Sequence, residues 1–114
     1  MHAKKLLNYL KMYRKRSGLT QIELAFLSEC RDKSAIYLYE KSQRFPKIRI
    51  LLAYEAIFGI STGQLFAGIF EEVQDETKER AKLLLEQLRK QSPDRAIERK
   101  MEFLRTIITD NRVS

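Results

Sequence analysis

The 114-residue sequence predicts an all-helical protein: five short helices in residues 1–68, then two longer amphipathic ones over 71–110. Three observations carry this reading. Apolar residues recur three and four apart in nearly every segment, and no stretch alternates as a half-buried strand does. Helix-start signatures recur as well: Thr20 with Glu23, and Ser61 with Gln64, are pairs in which each side chain can satisfy the other's orphan amide. Gly18 and Gly59 then stand where helices must stop, because only glycine enters the left-handed region without cost.

Each element follows from local signals. Leu6, Leu7, Leu10 and Tyr13 share a face of a first helix over 3–16. The second helix opens at Thr20, with Leu19 and Leu24 as a hydrophobic staple around its cap, and ends near Ser28. Asp32 is a good N-cap for a third helix over 32–41. A fourth begins after Pro46, with Ile48, Leu51, Leu52 and Ala56 as its inward stripe. A fifth spans 62–67. Beyond Gly68, acidic first turns and a basic last turn complement the dipole of a sixth helix. Ser92-Pro93-Asp94 reads as the start of a seventh, with Ser92 as N-cap and Pro93 at the first position.

Composition narrows the classes of function. Apolar residues are 44% and charged residues 32% of the chain, which suits a core inside a wetted surface. No apolar run is long enough to cross a bilayer, and the stretch MHAKKLLNYLKMYRK lacks the apolar centre and cleavage site of a secretory signal. One cysteine excludes an intrachain disulfide and fits a reducing, cytoplasmic setting. The net charge of +7 lies wholly in residues 1–58, which hold 12 Lys/Arg against 5 Asp/Glu; residues 59–114 hold 10 of each. A polyanionic partner is drawn to the first half. No residue set has the spacing of a metal site, an activated nucleophile or a phosphate loop, so neither an enzyme nor a cofactor is expected. His2 is a lone terminal histidine, Cys30 a small buried hydrophobe, and Arg14-Lys15-Arg16 complement the dipole at the end of the first helix.

Residues 5–67 resemble the Cro/repressor, or Xre-like, type of helix-turn-helix domain. The match rests on SGLTQIELA at 17–25, on Ile36 and Tyr39-Glu40, on the Arg44-x-Pro46 step, and on LLAYEAIFG followed by a short capped helix. The resemblance implies that the third helix enters the major groove of double-stranded DNA. It assigns base reading to Lys33, Ser34 and Leu38, with Tyr37 near the same face, and phosphate binding to Gln21, Lys41, Gln43 and Arg44. Glu29 stands at or beside a turn position where the family commonly has glycine, so either mild backbone strain there or a turn of different shape is expected. Tyr37 and Leu38 replace polar residues often found at those positions and make the reading surface unusually apolar.

Members of this family commonly pair, which sets two recognition helices one turn of DNA apart. In the C-terminal half, Ala81, Leu84 and Leu88, and then Ile97, Met101, Leu104 and Ile108, form stripes spaced four and three apart. Each is too short to stand alone in water. The expectation is homodimerisation through 71–110, with a hairpin within one chain as the other arrangement. The function expected is that of a sequence-specific regulator of bacterial or phage type, nucleoid-associated and acting as a repressor by blocking polymerase. An antitoxin or protein-interaction module on the same fold, and an RNA-associated protein, are the competing readings.

Overall fold

The computed structural model describes residues 6–109. They form seven helices and, among the described residues, no strand: α1 (Leu10–Arg16), α2 (Gln21–Leu27), α3 (Lys33–Glu40), α4 (Ile48–Phe58), α5 (Thr62–Leu65), α6 (Ala67–Arg89) and α7 (Arg95–Thr109). The chain divides into two compact units between Phe70 and Glu71.

The first unit closes around one core. Leu10 of α1, Leu24 of α2, Ile36 of α3, Tyr54 of α4 and Leu65 are removed from water completely. Burying each of the aliphatic four stabilises the fold by about 1.5–3 kcal/mol. Both capping boxes form. Thr20 Oγ1 accepts from the Glu23 amide at 3.1 Å while Glu23 accepts from the Thr20 amide at 2.9 Å. Ser61 and Gln64 repeat the exchange at 3.1 and 3.3 Å. Gly18 and Gly59 follow α1 and α4 at φ +75° and +69°. Asp32 caps α3, accepting from the Ser34 amide at 3.1 Å.

Several sequence expectations are corrected. The first helix begins at Leu10, not at residue 3; residues 3–5 lie outside the described residues, and 6–9 are not helical. Tertiary hydrogen bonds claim this segment. The Tyr9 amide donates to the Leu65 carbonyl at 2.8 Å, and the Leu7 carbonyl accepts from the Ile69 amide at 3.2 Å. Buried Asn8 donates to the Tyr39 carbonyl at 3.0 Å and to Ser42 Oγ at 2.6 Å, and its own carbonyl oxygen accepts from the Leu10 amide at 3.0 Å. Leu6 and Leu7 consequently stay exposed rather than joining Leu10 in the core.

On α4 the inward stripe is Ile50, Leu51, Tyr54, Ile57 and Phe58, whereas Ile48, Leu52 and Ala56 face water. An all-apolar run offers two faces, and neighbours choose between them. The fifth helix stops at Leu65. Gly68, read as a boundary, lies inside α6, where a Cβ would overlap the Leu6 carbonyl oxygen and come within 2.7 Å of Leu7 Cα. The glycine admits the N-terminal segment against the helix. Arg14 is not a solvated dipole partner. It is buried on an ion pair with Glu40, 2.6 Å from Nε to the carboxylate.

In the second unit, α6 and α7 pack with each other within one chain. Ala81, Leu85, Leu88 and Leu104 are buried together, flanked by Ile97, Met101, Ile107 and Ile108. The stripe on α6 thus runs through Leu85, while Leu84 is exposed. Residues 81, 85 and 88 keep the helical four-three step once Leu84 is replaced by its neighbour. Helix α7 starts two residues later than expected, at Arg95. Asp94, not Ser92, is its cap, accepting from the Ile97 amide at 2.8 Å.

Candidate nucleic-acid interface

Helix α3 has one face for the protein and one for the solvent. Ala35, Ile36 and Tyr39 are buried in the core. Lys33, Ser34 and Tyr37 are exposed on the opposite side, with Leu38 half-buried beside them. The spacing of 33, 34, 37 and 38 places these four in two adjacent rows one turn apart. An α-helix with its side chains is about 10–12 Å across, which a major groove roughly 12 Å wide admits.

Three ties hold that helix. At its end, Glu40 accepts from Arg14 Nε at 2.6 Å and from Arg14 Nη2 at 3.2 Å, and from Gln21 Nε2 at 3.0 Å. Arg14 Nη1 also donates to the Leu19 carbonyl at 2.9 Å. One carboxylate therefore joins α1, α2 and α3. Its side chain is only 2% exposed, so these charge-assisted bonds work with little competition from water. In the middle, Ile36 is locked in the core. At its start, Asp32 caps the first turn.

Asp32 also shapes the chemistry of the tip. Its carboxylate accepts from the Ser34 hydroxyl at 2.6 Å and from Arg44 Nη1 at 3.3 Å. Donation from the Ser34 hydroxyl, with help from the Ser34 amide and Arg44, holds its pKa below the usual carboxylate range. The Ser34 hydroxyl proton is thus spent inside the protein, which leaves its oxygen as an acceptor. The Arg44–Asp32 pair is half exposed on both sides, so it is weak and a phosphate can take the guanidinium. Lys41 follows the helix, with its ammonium 5.7 Å from the centre of the Tyr37 ring. Gln43 is exposed in the same loop, where its backbone amide donates to the Leu38 carbonyl at 2.9 Å.

The structure brings Lys33, Ser34, Tyr37, Leu38, Lys41, Gln43 and Arg44 onto α3 and the loop after it, and places Gln21 at the start of α2. Gln21 is half-buried, and its amide is given to Glu40. Sequence reasoning overlooked Arg31, an exposed cation immediately before the cap of α3. Its position one residue before Asp32 was the available signal. Residues 28–32 make the turn between α2 and α3, and Glu29 takes the left-handed conformation there at φ +54°. The strain expected at this non-glycine position is present. Inside the core, the Tyr54 hydroxyl has no hydrogen-bond partner, and burial pushes its pKa well above the usual value. The Ser28 hydroxyl nearby donates to the Leu24 carbonyl, which leaves its oxygen as an acceptor facing Tyr54.

Comparison of this chain with protein-family models, with curated proteins and with solved structures finds no match.

Proposed function

We propose that this chain is a DNA-binding transcriptional regulator in which α2, the turn over 28–32 and α3 act as a helix-turn-helix of Cro/repressor type. The observation that carries the reading is the outward row Lys33, Ser34, Tyr37 and Leu38 on a helix whose inner face is locked in the core. Lys33 donates to guanine O6 and N7, Ser34 accepts from an exocyclic amine, and Leu38 packs on a thymine methyl. Lys41, Gln43 and Arg44 hold phosphates and supply the salt-dependent part of the affinity. Bound over a promoter, the protein blocks polymerase. No helix among the described residues is long and apolar enough to cross a membrane, which accords with action on DNA in the cytoplasm.

The test is duplex affinity against salt. Loss of one phosphate contact, in Arg44→Ala or Lys41→Ala, reduces the slope of log K against log salt by about 0.9. Lys33→Ala instead relaxes base preference at one position. Absence of duplex binding at low salt, or a slope that neither variant changes, defeats the reading. That result favours the second reading, an antitoxin or interaction module, for which the half-exposed Tyr37 and the Asp32 carboxylate at the tip speak.

A further inference from the structure

The outer face of α2 and the start of α4 carry an apolar surface that DNA binding does not use. Both helices satisfy the core with other residues, Leu24 and Ala25 on α2 and Leu51 and Tyr54 on α4. Even so, Ile22, Phe26, Leu27, Ile48 and Leu52 stand in water, with Phe26 82% and Ile48 70% exposed. Phe26 stands between two depressions. On one side is an open groove of about 880 Å³, walled by Leu27 and Glu29 from α2 and its turn, and by Lys47, Ile48, Arg49 and Leu52 from the start of α4. On the other is a hollow of about 460 Å³ lined by Leu19, Ile22 and Leu27.

The five apolar side chains expose on the order of 500 Å² together, at the upper end of what a monomeric protein leaves uncovered. Adding the stems of Lys47 and Arg49 brings the patch towards the roughly 800 Å² per partner of a standard interface. The patch is also self-complementary. It holds a projecting ring and a groove that can receive one, and it holds an acid, Glu29, opposite two bases, Lys47 and Arg49. A two-fold axis through it seats each Phe26 in the other copy's groove and sets each Glu29 against the other copy's Lys47 and Arg49. That pairing of unlike features within one patch is what an isologous interface requires.

We propose that the α2/α4 surface is a homodimer interface occupied by a second copy of this chain, centred on Phe26. It uses none of Lys33, Ser34, Tyr37 or Leu38, and it does not rest on DNA binding. The stripes on α6 and α7 from which pairing was expected meet within one chain, with Leu84 alone of the seven assigned residues left outside.

Sedimentation equilibrium of the full chain over a concentration series tests it. The wild type is expected to be a dimer, and Phe26→Asp is expected to weaken the dimer by at least about 30-fold, as for a central interface anchor. Phe26 is too exposed for this change to unfold the chain, and circular dichroism checks that. A mixing experiment tests the symmetry. Glu29→Lys alone and Lys47→Glu/Arg49→Glu alone are each expected to pair weakly. Mixed, they form a heterodimer, because both charge contacts are then restored across the two-fold. A wild type that stays monomeric at 0.1 mM scale, on the order used for weak dimers, overturns the proposal. So does a dimer indifferent to Phe26→Asp, a dimer broken instead by Leu84→Glu, or variants that fail to pair on mixing.

Discussion

Removing one partner of the Arg14–Glu40 pair gives the sharpest test of how α3 is held. Glu40 is short, 2% exposed, and fixed to α3; Arg14 is 10% exposed on the last turn of α1. In Arg14→Ala the carboxylate cannot reach water and keeps Gln21 Nε2 as its side-chain donor, at 3.0 Å. A buried charge stripped of its partner costs about 3–5 kcal/mol, and this is the variant that incurs it. In Glu40→Ala the freed guanidinium keeps the Leu19 carbonyl at 2.9 Å and can extend its long stem toward solvent. Its cost is therefore lower, about 2–3 kcal/mol. Arg14→Met with Glu40→Leu removes both charges and fills the space, so it should lie within about 1 kcal/mol of wild type. Urea unfolding ranks the four proteins, and at about 4–8 °C per kcal/mol the order also shows in thermal melts. If both single variants cost less than about 1 kcal/mol, the pair behaves as a surface ion pair, and the tie holding α1, α2 and α3 together is refuted.

Three other outcomes are expected. Gly68→Ala gains helix propensity of about 1 kcal/mol but drives a Cβ into the Leu6–Leu7 backbone; a net loss of about 1–3 kcal/mol in thermal unfolding is expected, and a gain would show that the close approach is absent. Tyr54→Phe deletes a buried hydroxyl without a partner and should be neutral or stabilising by about 1 kcal/mol in urea, whereas a loss above that size would reveal an unseen partner. Glu23, Asp32 and Glu55 all have folded-state pKa values below their ordinary 4.5, 3.8 and 4.5, held down by donation from Thr20, Ser34 and Thr62. The unfolded chain therefore binds more protons. The stability they contribute is complete above about pH 4.5 and is lost as pH falls through the lowered values. Melting temperature should drop below pH 4.5 and drop less in Thr62→Val, which removes the hydroxyl donor to Glu55; equal slopes in the two proteins would contradict this.

Much of this was legible residue by residue. Thr20, Glu23, Ser61, Gln64, Asp32, Gly18 and Gly59 act through atoms within four residues of themselves, so their roles as caps and stops can be read without the fold. The left-handed turn position at Glu29 was expected from the family resemblance and not from any local signal. Long-range choices were not. Whether Leu6 and Leu7 would continue a helix depended on the Leu65 and Ile69 backbone, some sixty residues away. The buried side of α4, and Leu85 in place of Leu84, depended on which of two apolar rows met a neighbour.

The candidate site divides in the same way. That Lys33, Ser34, Tyr37 and Leu38 share one face follows from helical periodicity alone. That Gln21 and Arg14 turn inward to Glu40 follows from where three helices meet, whereas the Ser34 hydroxyl's donation to Asp32, two residues away, is local. Local sequence thus determined which segments become helices and where the side-chain-capped α2, α3 and α5 begin, because caps and periodicity are short-range physics. Only the tertiary structure decided which faces are covered and which charges are withdrawn from solvent, because burial belongs to pairs of elements and is absent from any one of them.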